Sequence, residues 1–209
     1  MKLNINSPIF QFLGMLYDFI LLNILFILSC LPLFTIGTSI TALYYVTMQE
    51  ARMEHGYIFK SYIKSWKQNF VQSTLIWGVF FTIGSILFFN LIFWNNPKNL
   101  VGTIIFVLMV IGSVIYVICF IYIFPLLARF KNTIKQTLQN AFLISLQNLK
   151  TTILLLLMNG LFIFLCVILP WSKIFMVLLG FSFFAYCNSF LLIRVFKQYE
   201  PEEDHHEIQ

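Results

Sequence analysis

Charged residues are scarce in this chain of 209 residues. Asp, Glu, Lys and Arg together make up 10% of the sequence and hydrophobic residues 60%, whereas a typical soluble domain has about 25% and about 45–50%. So little polar surface cannot cover so much apolar material, which excludes an ordinary soluble enzyme. The composition predicts an integral membrane protein.

Residues that commonly carry catalysis are also few. The three histidines, His55, His205 and His206, fall in a loop and in the C-terminal tail, and the four cysteines form no CxxC pair. The chain contains no HExxH, GxSxG or Walker motif and no glycine-rich phosphate-binding loop. We therefore expect no enzyme activity, no metal site and no cofactor. The net charge of +5 predicts contact with anionic membrane lipids rather than with nucleic acid.

Five apolar runs are long enough to cross a bilayer, which takes about 20 residues in a helix. The predicted spans are residues 10–31, 71–93, 100–124, 152–169 and 173–195. Pro32, Pro125 and the turn at Asn96-Pro97 end three of these runs. The predicted fold class is therefore all-α: a polytopic transmembrane bundle of about five spans in one domain over residues 1–198, with an acidic, disordered tail over 199–209. A sixth, short or re-entrant span over residues 33–48 is the alternative.

Two segments between the spans are amphipathic and predict cytoplasmic surface helices over residues 38–70 and 129–150. The first has a turn near His55-Gly56. Each segment ends in a Gln-Asn pair before the next span, at residues 68–69 and 147–148. This match indicates either an internal duplication with a turn at each pair, or only the polar character that helix starts generally share.

Lysine and arginine predict the orientation, because they accumulate in short cytoplasmic loops. Ten of the thirteen basic residues follow spans one, three and five, whereas Lys2, Lys98 and Lys173 lie on the other side. With five spans, this bias places the N-terminus outside and the C-terminus in the cytoplasm of a multi-pass plasma-membrane protein.

Polar side chains inside the spans form one candidate site. Asp18 is the only acidic residue within a predicted span, and ionisable groups at membrane depth usually face a bundle interior or an aqueous path. The candidate intramembrane polar residues are Asp18, Asn23, Asn90, Asn159 and Asn188. They could line a polar path or serve as hydrogen-bonding contacts between helices, and we favour the second role.

The cytoplasmic segments supply the other candidate site, a surface for partners. Its members are polar, basic or aromatic residues near the ends of the two predicted surface helices. The candidate contacts are Arg52, Lys60, Lys64, Trp66, Gln68, Asn69, Arg129, Lys131, Lys135, Gln147 and Asn148.

Two short motifs carry a resemblance to a known family. The runs C-L-P-L-F-T-I-G at residues 30–37 and T-A-L-Y-Y at residues 41–45, with Asp18 before them and Lys67-Gln68-Asn69-Phe70 after them, resemble the YesL-like family of bacterial membrane proteins. That family has no established biochemical function or catalytic residues. Its members are often encoded beside carbohydrate importers of the ATP-binding-cassette (ABC) type.

The resemblance, the lack of catalytic motifs and the small or polar residues within the spans together favour an accessory or assembly subunit that contacts the permease or ATPase subunits of a carbohydrate ABC importer. The alternative is a small stand-alone transporter or channel with a polar path near Asp18 and Asn23.

Overall fold

The computed structural model describes residues 8–54, 56–95, 99–169 and 171–200, with side chains from residue 13 onward. Every regular element in these residues is helical. The helices are α1 (Pro8–Ser29), α2 (Ile36–Ala51), α3 (Ile58–Phe93), α4 (Leu100–Arg129), α5 (Ile134–Gln147), α6 (Leu149–Ile168), α7 (Ser172–Phe175) and α8 (Phe181–Phe196). A 3₁₀ turn (Leu33–Thr35) precedes α2, and a π-helical turn (Met176–Gly180) joins α7 to α8. The predicted turn residues His55, Asn96 and Pro97, and the tail beyond Glu200, lie outside the described residues.

Four helices are long and apolar enough to cross a membrane. They are α3, α4, α6 and the continuous helical segment Ser172–Phe196. The described part of α1 adds a shorter apolar helix, Leu13–Ser29. The predicted all-α membrane bundle is therefore confirmed.

Helix α2 lies in the middle of the bundle and contacts α1, α3, α4 and α8. The prediction of a cytoplasmic surface helix over residues 38–70 is therefore wrong for its first half. Threonines gave this segment a polar appearance, but Thr41 and Thr47 donate their hydroxyls to the carbonyls of Gly37 and Leu43 in their own helix, at 2.9 and 3.1 Å. A threonine that bonds its own backbone can be buried, and both are fully buried here.

Helix α3 runs without interruption through the predicted Gln68-Asn69 turn and into the second span. No proline or glycine interrupts residues 58–77, and Asn69 donates to the Ser65 carbonyl within the helix at 3.1 Å. Asn148, by contrast, ends α5 with φ −113° and ψ 50°. The predicted duplication, which required a turn at both pairs, is wrong in this respect.

Helix α4 also continues past a predicted stop, because Pro125 lies inside it and the helix ends only at Arg129. Residues 122–127 are all buried, so packing holds the helix together where proline removes a backbone donor. Helix α5 begins five residues later than predicted. Its larger apolar side chains, such as Phe142 and Leu146, are exposed, while the small Ala141 and Ser145 pack inward.

The start of α1 and the end of α8 lie at the same end of the bundle. Phe19 contacts Tyr186 and Phe26 contacts Phe181, with ring centroids 5.1 and 5.3 Å apart. The later residue of α1 thus contacts the earlier residue of α8, so the two helices are antiparallel. The predicted orientation, with the N-terminus outside and the C-terminus inside, requires the start of α1 and the end of α8 to lie at opposite ends of the bundle. In this respect the prediction is wrong.

That shared end also carries most of the described basic side chains, and we call it the basic end. Its described members are Arg52, Lys60, Lys64, Lys67, Arg129, Lys131, Lys135, Lys150, Arg194 and Lys197.

Candidate functional site

A polar cavity of about 870 Å³ opens at the basic end between α3, the end of α4 and the start of α5. We call it the basic cavity. Its lining residues are Tyr45, Lys64, Gln68, Asn69, Gln72, Leu127, Ala128, Arg129, Phe130, Lys131, Asn132, Thr133 and Gln136.

The uninterrupted α3 builds one wall of the basic cavity. Lys64, Gln68 and Gln72 are spaced by four residues, and in a helix this spacing places side chains in one row on one face. The row exists only because the helix does not turn at Gln68-Asn69.

The link between α4 and α5 builds the opposite wall. Gln72 joins the two walls by donating its amide N–H to the Asn132 carbonyl at 2.8 Å. Thr133 then caps α5: its Oγ1 accepts from the Gln136 backbone N–H at 3.4 Å, while the Gln136 side chain accepts from the Thr133 N–H at 3.0 Å. This reciprocal capping box fixes the start of α5 beside the cavity.

The lining of the basic cavity is positively charged. Among the described residues, the lining includes the cations Lys64, Arg129 and Lys131 and no acidic side chain. The first turn of α5 adds the positive end of a helix dipole. Such a surface favours anions.

Two further charged residues, Glu200 and Arg52, lie near Arg129. Arg129 donates from Nε and Nη2 to Glu200 Oε1, both at 2.6 Å. Arg52 lies near Arg129, and burial together with this like charge lowers the pKa of its guanidinium. Arg52 and Arg129 are thus close enough to repel each other.

Five of the predicted partner contacts line the basic cavity, namely Lys64, Gln68, Asn69, Arg129 and Lys131. The structure brings these residues together from segments about 60 positions apart in the sequence.

The other predicted contacts lie elsewhere. Arg52 pairs with Glu54 at 2.8 Å, and Trp66 packs against Phe70 with ring centroids 4.9 Å apart. Lys60, Lys135, Gln147 and Asn148 are not among the cavity residues. Instead, the Tyr199 hydroxyl donates to Gln147 Oε1 at 2.6 Å and accepts from Asn148 Nδ2 at 3.0 Å.

The sequence reasoning missed Tyr45, Gln72, Asn132, Thr133 and Gln136. The four-residue spacing of Lys64, Gln68 and Gln72 is a signal that could have identified Gln72. It was hidden by the assumption of a turn at residues 68–69.

Asn23 joins α1 to the irregular last helix. Its side chain donates to the carbonyls of Met176 and Val177 at 3.0 and 2.7 Å, and accepts from the N–H groups of Phe181 and Ser182 at 3.0 and 3.1 Å. The residue is fully buried. All four hydrogen bonds go to the backbone at and just after the π-helical turn, so the amide holds this turn against α1.

The remaining intramembrane candidates do not gather with Asn23. Asn90 and Asn159 donate to carbonyls four residues earlier in their own helices, at 2.8 and 2.7 Å. Asn188 is buried and donates to the Tyr44 hydroxyl at 3.4 Å. Asp18 lines a separate small cavity of about 30 Å³ with Glu50, Tyr186 and other residues. The five predicted residues therefore form no common polar path in the described structure.

Metal-binding groups do not cluster in the described residues, where no set of three His, Cys, Asp or Glu side chains could hold an ion. His55, His205 and His206 lie outside those residues.

In a comparison with known proteins, part of the chain matches one family model. Residues 19–91 match the family model described as a protein of unknown function, DUF624. The matched segment begins within α1 and ends two residues before the end of α3, and so includes the α3 wall of the basic cavity. No curated protein and no solved structure matches the chain.

Proposed function

We propose that this protein is a non-catalytic accessory or assembly subunit of a carbohydrate ABC importer in the bacterial plasma membrane. The importer as partner comes from the resemblance to the YesL-like family, and membership of that family is part of the proposal. The observation that supports a binding role is the basic cavity, where cations and amides from three helices meet at one end of an otherwise apolar bundle.

The membrane-facing surface suits such a subunit. Helix α4 contains the most apolar stretch of the four long helices, and no residue of that stretch is buried within the chain. A helix so apolar and so little covered meets lipid, or a transmembrane helix of a partner, along most of its length. The bilayer part of the surface and the basic end then offer two separate areas for contact.

We propose further that the basic end faces the cytoplasm, with both termini on that side. Ten of the eleven described basic residues lie at this end, and Lys173, at the start of the last helix, lies opposite. This bias follows the tendency of lysine and arginine to stay in the cytoplasm.

Purification from the native host tests the proposed partnership. A tagged copy of the full chain is extracted in a mild detergent, and co-eluting proteins are identified by mass spectrometry. We expect a permease or ATPase subunit of a carbohydrate importer to co-elute with this chain and not with an unrelated multi-pass protein carrying the same tag. Recovery of the chain alone would refute the proposal.

A stand-alone transporter is the second candidate, favoured only by the proximity of Asp18 and Glu50 in one cavity. That cavity has room for about one water molecule, and the Asn23 side chain is fully engaged by the backbone of the last helix. The test is flux of a candidate solute into proteoliposomes containing the wild type or Asp18→Asn. Flux that depends on Asp18 would favour this candidate, whereas the accessory role predicts no flux in either sample.

A further inference from the structure

We propose that the basic cavity is a binding site for a phosphate-bearing ligand, with Lys64, Arg129 and Lys131 as its cationic contacts. The inference goes beyond the accessory role and does not rest on it, because it concerns the purified chain alone.

The size of the cavity fits an organic phosphate. Ligand sites commonly have volumes of about 300–1,000 Å³, and the basic cavity has about 870 Å³. This volume exceeds what a simple inorganic anion fills. Leu127, Ala128 and Phe130 supply an apolar part of the lining, which suits the body of a ligand that carries a phosphate at one end.

Two cationic side chains of the cavity have no described carboxylate partner, which favours the binding of an anion. Within the described residues, the two ion pairs are Arg52–Glu54 and Arg129–Glu200, so Lys64 and Lys131 are not neutralised by a described carboxylate. Both lysines are exposed at the cavity. A phosphate oxygen placed between them would form charge-assisted hydrogen bonds, which are roughly twice as strong as neutral ones.

Uncharged donors complete the lining. The amides of Gln68 and Gln136 lie on opposite walls, and the start of α5 places the positive end of a helix dipole beside them. Lysines, amides and a helix start are the usual components of phosphate sites, and here they border the same space.

Two sources can supply this chemistry at the edge of a membrane. One is the phosphate of an anionic lipid headgroup, and the other is a soluble phosphorylated compound. The shared requirement is a phosphoryl anion, so the experiment keeps the two sources apart.

The test measures thermal unfolding of the full chain in phosphatidylcholine nanodiscs. One arm titrates inorganic phosphate against sodium chloride of equal ionic strength. The other replaces part of the phosphatidylcholine with phosphatidylglycerol and adds no phosphate. Each arm compares the wild type with the cavity variant Lys64→Gln/Lys131→Gln and the control variant Lys60→Gln/Lys135→Gln. The control removes the same charge from exposed lysines outside the cavity.

We expect stabilisation of the wild type and the control in at least one arm, with apparent affinity at least tenfold weaker in the cavity variant because two charge-assisted contacts are lost. A response to phosphate identifies a soluble ligand, and a response only to phosphatidylglycerol identifies a lipid. Absence of stabilisation in both arms overturns the proposal. An equal loss in both variants also overturns it, because it would show a general effect of charge.

Discussion

Single polar side chains in this protein have different roles that their residue type does not reveal. Asn23, Asn90 and Asn159 all appear as asparagines within apolar helices, yet only Asn23 bonds to another helix, and it does so with four hydrogen bonds. The sequence could identify these residues as candidates. It could not separate them, because the distinction depends on which helix lies opposite.

Replacement of Asn23 should therefore be costly. We expect Asn23→Ala to lower the free energy of unfolding by about 2–4 kcal/mol, because it leaves buried backbone groups at the π-helical turn without partners. The measurement is unfolding in mixed micelles with increasing sodium dodecyl sulfate.

Asn159→Ala is the matched control, since this side chain bonds only its own helix. We expect it to change the unfolding free energy by about 0.5 kcal/mol or less. Equal effects of the two substitutions would show that Asn23 does not fasten the turn.

Glu200 is the carboxylate nearest to the cationic wall of the basic cavity, through its ion pair with Arg129. Glu200→Gln should release Arg129 and raise the apparent affinity for inorganic phosphate by about twofold to fivefold, the size expected of a partly exposed ion pair. The phosphate titration in nanodiscs measures this gain. Glu54→Gln, which removes the partner of Arg52 instead, should produce a smaller gain, and a weaker affinity in Glu200→Gln would contradict the assignment.

At the scale of elements, the close contact between α2 and α3 organises the bundle. Small and hydroxyl-bearing residues make it possible: Thr41 and Ser73 bond through their hydroxyls at 3.0 Å, and Thr38 and Thr74 at 3.1 Å. Small residues let helix backbones approach closely in membranes, where no hydrophobic force brings helices together. Thr38 and Thr41 fell within the predicted surface helix over residues 38–70, and their burial could be recognised only once the facing residues of α3 were known.

Gly37 lies where α2 packs closely on α3. A Cβ at this position would lie 2.6 Å from Trp77 Cβ and 2.7 Å from the Ser73 carbonyl oxygen, so Gly37→Ala must push the helices apart. We expect a loss of about 1–3 kcal/mol in unfolding free energy.

Gly78→Ala serves as the control, because the space around that glycine is open and alanine favours helix. It should be neutral or slightly stabilising in the same unfolding measurement. A Gly37→Ala protein as stable as the Gly78→Ala protein would contradict the close packing of α2 on α3.

At the scale of the whole molecule, composition and hydropathy were sufficient to predict an all-helical membrane bundle and the approximate positions of its long helices. They were not sufficient for the direction of α1. The sequence analysis assigned α2 to a surface helix and therefore predicted five spans. An odd number of spans places the two termini on opposite sides of the membrane. The structure places α2 in the interior, antiparallel to α1, so the start of α1 and the end of α8 lie at one end.

The candidate site was predicted in part for a related reason. Lysine and arginine near helix ends identified three cavity residues, Lys64, Arg129 and Lys131, because charged side chains must lie near water. The Gln68-Asn69 pair added two more. Asn132 and the capping residues of α5 gave no such signal. Their role depends on α3 continuing without a break past Asn69, and on Gln72 reaching the link between α4 and α5.

The central claim is that the basic end, with its cavity and both ends of the chain, faces the cytoplasm. The most direct test attaches a short strand of a split fluorescent protein to either terminus and expresses the remainder in the cytoplasm. Fluorescence with the strand at each terminus is the predicted result. Fluorescence with the C-terminal strand alone would restore opposite termini and contradict the arrangement of α1 and α8, and fluorescence with neither would place the basic cavity outside the cell.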